Sequence, residues 1–263
     1  LFQKAGVAEP KSGWTWADFL QAAQALTKGT EQYGVGISPE MIRVAPFIWQ
    51  NGGDIVDNIA NPTKLTFDRP ESLEAIQWFV DLQTKHKVVP DKVQRSAEDD
   101  EARFLNGRSA MYFDSRRVVP TIREVTALDW DVAPLPAGKS RVSILHSDAY
   151  LMTAASKNKA AAFAFMEYAN GPEGQPVIAG TGRTVPSIKS IAESPIFLDP
   201  KTKPASNRVY LEAIPIIRPT IYNNTVEQIE AIVNNELQRA FLGEIPIAEA
   251  IATMNTQTAP LFQ

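Results

Sequence analysis

Apolar residues recur three and four positions apart over several stretches of the chain, and elsewhere they gather in short runs bounded by Gly and Pro. Phe19, Ala22, Ala23 and Leu26 share one helical face, and Thr15, with Asp18 three residues on, reads as the N-cap of that helix. Leu73, Ile76, Trp78, Phe79 and Leu82 form a second stripe, with Asp68 placed to cap it and Pro70 near its first turn. A shorter helix from about Glu98 to Leu105 ends at Asn106-Gly107. KNKAAAFAFMEYANGPEGQ reads as a helix stopped by Gly171-Pro172. Val226 to Phe241, closed by Gly243, and Ile247 to about Met254 read as two more, and Leu1 to Val7 as the last turn of another, closed at Gly6. Tyr33–Ile37, Ala110–Phe113 and Trp130–Leu135 are strand candidates, and Ser143–Leu145 and Ala149–Ala155 are apolar runs with short polar breaks. PFIWQ, Pro46 to Gln50, is read as a helix that runs into the tight turn Asn51-Gly52-Gly53-Asp54. Strands and helices alternate, which predicts an α/β protein without repeats or low-complexity tracts.

Of the 263 residues, 44% are hydrophobic and 21% charged, the balance of a globular protein. A net charge of −4 offers no basic face for nucleic acid. No apolar run reaches the roughly 18 residues needed to span a bilayer. Cysteine is absent, which removes disulfides and thiolate metal sites. The two histidines, His86 and His146, lie far apart, and no nucleophile elbow, P-loop or GxGxxG follows a strand, so enzyme readings do poorly. Asp99-Asp100-Glu101 reads as a solvated helix face. The first residue is Leu1, with no charged or apolar leader before it, so the expectation is a processed N-terminus or a start inside a longer protein.

AMYFDSRRVVPTI, Ala110 to Ile122, poses the sharpest question. A buried strand ends in Asp114, Ser115, Arg116 and Arg117 before the chain turns apolar again. One reading makes Asp114 or Ser115 the cap of a helix starting near Arg116. The other makes the run a ligand site, since ligands in open α/β sheets lie beyond the carboxyl ends of strands.

The order of motifs is more specific than any one of them. It runs from GV.EP..WTW.DF through WQNGGD, DRPESLEAIQWFVDL, F.NG.SAMYF and WDVAPLP. An apolar strand follows, leading into SKNKAAAFAFMEYANGPEGQ, and GRTVPS closes the series. This series resembles the extracellular solute-binding proteins of bacterial ABC importers, in the carbohydrate group that includes maltose-binding protein. The resemblance implies a periplasmic-binding-protein-like two-lobe fold (type II) with much of the first lobe missing from this chain. Residues 1–145 and 205–263 would form the second lobe, and 146–204 the hinge crossing and a remnant of the first. It implies a non-enzymatic, exported monomer without cofactor, periplasmic or tethered by a lipid. That monomer would capture a sugar or amino sugar between its lobes and deliver it to a permease and ATPase complex. A glycerophosphodiester or other charged polyol is the alternative ligand, and a glycoside-acting enzyme a more distant one.

Family members often carry a Gly and an aromatic residue where this chain has Asp114, Ser115, Arg116 and Arg117. The departure points to recognition by hydrogen bonds and charge. Asp114 can accept two hydroxyls, and one of the two arginines, assigned here as Arg117, is expected to face the ligand; the other would be solvated or salt-bridged. The resemblance also implies contacts from Asp148 and Tyr150 in the hinge stretch ILHSDAY, with His146 structural, and from Arg183 in GTGRTVPS. Arg43, in the Met41–Val44 stretch expected before the PFIWQ helix, and Tyr222 and Asn223 before the long C-terminal helix complete the set. Trp49 is expected in the core.

Overall fold

The computed structural model describes residues 1–262. In chain order the first elements are α1 (Phe2–Ala5), α2 (Trp16–Leu26), β1 (Tyr33–Gly36), α3 (Met41–Gln50), α4 (Pro70–Thr84), α5 (Lys92–Ala97), α6 (Asp100–Leu105) and β2 (Ser109–Tyr112). Then come α7 (Val119–Glu124), entered through a single 3-10 turn at Arg116–Val118, β3 (Ser143–Ile144), α8 (Lys159–Asn170), α9 (Gly174–Thr181), α10 (Lys189–Ala192) and α11 (Pro195–Leu198). The last are α12 (Arg208–Ala213), β4 (Ile217–Arg218), α13 (Val226–Phe241) and α14 (Ile247–Thr258). Two compact units result. The larger holds Leu1–Phe113, Leu135–Leu145 and Ile216–Gln263; the smaller holds Asp114–Pro134 and His146–Pro215.

In the larger unit β1 and β2 pair in parallel, Val35 opposite Met111, and β3 and β4 pair in parallel, Ile144 opposite Arg218. Parallel partners need a long connection, and the chain from α3 to α6 supplies it for the first pair. At Gly34 the α2 backbone comes so close that a Cβ would lie 2.2 Å from the Ala23 carbonyl oxygen, which is why the strand has no side chain there. α3 is buried from Val44 to Gln50, the mark of a helix surrounded by protein, and it packs on α4 and α13. Trp49 is in this core, as expected.

Local signals held where they were self-contained. Thr15 and Asp18 form a reciprocal capping box, with Thr15 N–H donating to Asp18 Oδ2 at 2.8 Å and Asp18 N–H to Thr15 Oγ1 at 3.2 Å. α13 spans the expected residues, and Gly6 closes α1 in a left-handed conformation. Other expectations failed for tertiary reasons. α3 begins at Met41 rather than Pro46, because Asn234 of α13 caps it, accepting from Met41 N–H at 2.7 Å. Arg43 therefore lies inside that helix. Asp68 does not cap α4; Arg69 takes the N-cap position without a side-chain bond. Asp100 is buried and paired with Arg95 at 2.7 Å, not solvated.

The smaller unit joins two stretches far apart in sequence. Arg123 Nε donates to Lys203 O at 2.6 Å, and its Nη1 to Gly180 O at 3.2 Å. Lys203 Nζ reaches Asp129 Oδ1 and Trp130 O, both at 2.7 Å, and Ser206 Oγ donates to Asp131 Oδ2 at 2.7 Å. These bonds take Asp114–Pro134, expected in the body of the second lobe, into one compact unit with His146–Pro215. Residues 205–215 belong there too. Trp130–Leu135 is not a strand: its groups go to Lys203 and Ser206, and Pro134 and Pro136 have no N–H for a ladder. The run from Ala149 to Ala155 forms no ladder either. α8 is apolar around most of its circumference, yet Phe163, Phe165 and Tyr168 are 60%, 57% and 52% exposed.

Candidate functional site

The polar run after β2 marks a change of unit. Phe113 is the last residue of the larger unit at that point and Asp114 the first of the smaller. Ser115 takes the N-cap position of the following turn without a side-chain bond, and Asp114 Oδ1 accepts the N–H of Ser115 at 2.5 Å. Asp114 and Ser115 are half-buried and Arg117 is exposed. Asp148 and Tyr150 follow the next passage into the smaller unit, after Leu145, and Tyr222 and Asn223 follow the return at Ile216.

The smaller unit brings Asp148 and Arg183 together: Arg183 Nε lies 3.7 Å from Asp148 Oδ2, with side chains 52% and 63% exposed. Arg183 is presented by the turn that ends α9. Gly182 there is left-handed, with φ of 82°, and Thr181 Oγ1 accepts the Arg183 N–H at 3.2 Å. The Tyr150 ring meets Phe165 edge to face at 5.6 Å, which leaves it part exposed. An exposed ion pair adds little to stability, since each charge is already well solvated. Its groups are therefore cheap to redirect. Side by side, a carboxylate and a guanidinium offer acceptors and donors, the complement of adjacent hydroxyls, each of which does both.

Arg43, Tyr222 and Asn223 belong to the larger unit. Arg43 is half-buried in the first turn of α3, and Tyr222 is almost fully exposed. Asn223 Oδ1 accepts the N–H of Thr225 at 3.2 Å, so its side chain shapes the turn before α13. The larger unit also has an open hollow of about 460 Å³ lined by Gln24, Thr27, Tyr33, His86, Lys87 and Asp91 among others, none of them a sequence candidate. Among the described residues no group of His, Asp and Glu could hold a metal ion.

Two clusters escaped the sequence reading. Arg116 is not a solvated or salt-bridged surface arginine: it is buried between the rings of Phe197 and Tyr210, with Asn207 accepting from its Nη1 at 2.6 Å. Burial lowers its pKa and raises that of the Tyr210 hydroxyl, each losing hydration of its charged form. In the larger unit, Arg218 on β4 donates to Asp54 Oδ2 at 2.8 Å and stacks over Trp49, whose Nε1 donates to Asp54 Oδ1 at 3.0 Å. The turn ending in Asp54 was visible in the sequence. Its partner, far along the chain, was not.

A family model described as bacterial extracellular solute-binding protein matches residues 1–205. The chain belongs to that family. It is a family of binding proteins, not enzymes, and its members are extracellular. Solved structures share the fold of this solute-binding protein at low identity. An ABC substrate-binding protein of Listeria monocytogenes, Lmo0181 in complex with cycloalternan, matches with a TM-score of 0.86 and 22% identity. The match covers 99% of this chain and 67% of that one. An ABC transporter solute-binding protein of Thermotoga lettingae, bound with alpha-D-tagatose, matches at 0.80 and 24%, covering 100% and 68%. Maltose-bound MalE3 of T. maritima matches at 0.78 and 19%, covering 99% and 68%. The fold of the solute-binding protein is thus the periplasmic-binding-protein-like α/β fold, and the chain spans about two thirds of the length of these structures. Among the described residues no helix is long and apolar enough to cross a membrane.

Proposed function

We propose that this protein is the substrate-binding component of an ABC importer, capturing a carbohydrate or carbohydrate-like solute and delivering it to a membrane permease driven by an ATPase. It acts outside the cytoplasm as a monomer, free in a periplasm or tethered by a lipid. Family membership supports the class, and the sugar-bound relatives support the solute. The observation that carries the reading is the Asp148–Arg183 pair, solvent-facing and loosely held at 3.7 Å. The two charges offset each other, so a solute meeting them needs hydroxyls rather than a net charge. That favours a neutral sugar over a glycerophosphodiester. Tyr150 beside the pair offers a ring face, and Asp114, Ser115 and Arg117 add donors and acceptors in the same unit. Arg43, Tyr222 and Asn223 are the contacts proposed from the larger unit.

A thermal-shift screen tests this with maltose, cycloalternan and D-tagatose against glucosamine and glycerophosphoglycerol, which carry a net charge. A sugar at 100 times its dissociation constant adds about 2.7 kcal/mol of stability. The expected result is a shift with a neutral sugar that Arg183→Ala and Asp148→Ala abolish. A shift with glycerophosphoglycerol alone would overturn the choice of solute. Turnover of an aryl glycoside would overturn the binding function itself.

A further inference from the structure

We propose that Arg116 is a positioning residue, locked between two rings and an amide so that it holds the Asp114–Arg117 turn in the conformation that meets the solute. The proposal rests on the reading of Asp114, Ser115 and Arg117 as solute contacts.

The turn lies outside any strand and leads into a single 3-10 turn; Ser115 N–H donates to Asp114 Oδ1, Val118 N–H to Ser115 O at 3.4 Å, and Val119 N–H to Arg116 O. Polar residues in so short a turn sample many conformations unless a neighbour restrains them. Arg116 is that restraint. It is 7% exposed while Arg117 beside it faces solvent. Its guanidinium carbon sits 4.5 Å from the Phe197 ring centre and 4.7 Å from that of Tyr210. Its Nη1 donates to Asn207, which is itself buried.

The site is not optimised for the cation, because Arg116 Nε is buried without a hydrogen-bond partner. A buried charge left partly unsatisfied is a poor source of stability compared with an apolar side chain of similar volume. What the guanidinium does supply is geometry. A flat fork stacked on two rings and bonded at one end has one orientation, and the backbone carrying it is fixed accordingly. Lysine keeps the charge and loses that geometry.

Arg116→Lys and the milder Asn207→Ala test this in the whole chain. Hydrogen exchange at the Ser115, Arg117 and Val118 amides should speed up by about tenfold in both variants, while exchange across α9 stays unchanged. A uniform rise across the smaller unit would mean that Arg116 only supports stability, and would overturn the proposal. This measurement needs no ligand. Calorimetric titration with maltose then tests the coupling. Arg116→Lys should weaken binding by about tenfold in the otherwise native chain and hardly at all when Asp114→Ala and Arg117→Ala are already present. Equal losses in both backgrounds would refute action through the turn. If Asp114→Ala with Arg117→Ala leaves maltose affinity unchanged, the solute-contact reading fails, and the exchange data still judge Arg116.

Discussion

Gly182→Ala is the substitution whose cost can be worked most directly from the geometry around Arg183. Gly182 has φ of 82°, a left-handed conformation that costs an alanine about 1–2 kcal/mol. A Cβ there would fall 2.5 Å from Arg123 Nη1 and 2.6 Å from its Cζ, so the guanidinium must move. Moving the tip of a long side chain is cheap when the tip is free. This one is held by Lys203 O at 2.6 Å and Gly180 O at 3.2 Å. Each of those bonds is worth about 0.5–1.5 kcal/mol net, and Arg123 is only half-buried, so the lower half of that range applies. The total is about 2–4 kcal/mol, a fall in melting temperature of roughly 5–15 °C. Urea unfolding followed by circular dichroism measures it. The decisive comparison is the Arg123→Ala background, in which the guanidinium that the Cβ would displace is gone. Gly182→Ala should there cost only its backbone share, about 1–2 kcal/mol. The same loss in both backgrounds, or native stability for the single variant, would refute the steric argument. Because Gly182 aims the following residue, the single variant should also weaken solute binding through Arg183.

Two further outcomes are expected. Asp57 accepts bonds from the Thr63 hydroxyl and from the N–H groups of Asn58, Thr63 and Lys64, and the Thr63 hydroxyl above all holds its pKa far below the ordinary 3.8. Its contribution is therefore complete above 3.8 and is lost as pH falls below it, so Asp57→Asn should flatten the acid limb of stability between about pH 5 and pH 2 in urea titrations; an unchanged limb would discount this loop. The exposed Phe163 and Phe165 of α8 should bind an apolar fluorescent dye, and changing both to serine should cut that signal while altering stability by no more than about 0.5 kcal/mol each; a large stability loss would mean that the rings are covered in solution.

What the sequence alone determined was whatever rests on neighbours a few residues apart. The Thr15–Asp18 cap, the strand ending near Phe113, the run of α13 and the left-handed Gly6 depend on local hydrogen bonds and on a short hydrophobic period. Each can be read because the interacting groups are adjacent in the text. The motif order led to the family for the same reason, since it is a property of the linear chain. The candidate residues were chosen by type and context, and their arrangement was not legible. That Arg183 meets Asp148 depends on how α8 and α9 fold back toward the segment after β3. The start of α3 depended on Asn234, and Asp100 was buried by Arg95. The apolar run at Trp130 became coil because Lys203 and Ser206 claimed its polar groups in place of a neighbouring strand. Arg116 shows the limit best. Its run of four polar residues reads as surface, yet Asn207, Phe197 and Tyr210 arrive from some eighty to ninety positions downstream to bury it. Only the tertiary structure decides which of two adjacent arginines becomes core and which stays in water, because burial is set by groups that no local pattern records.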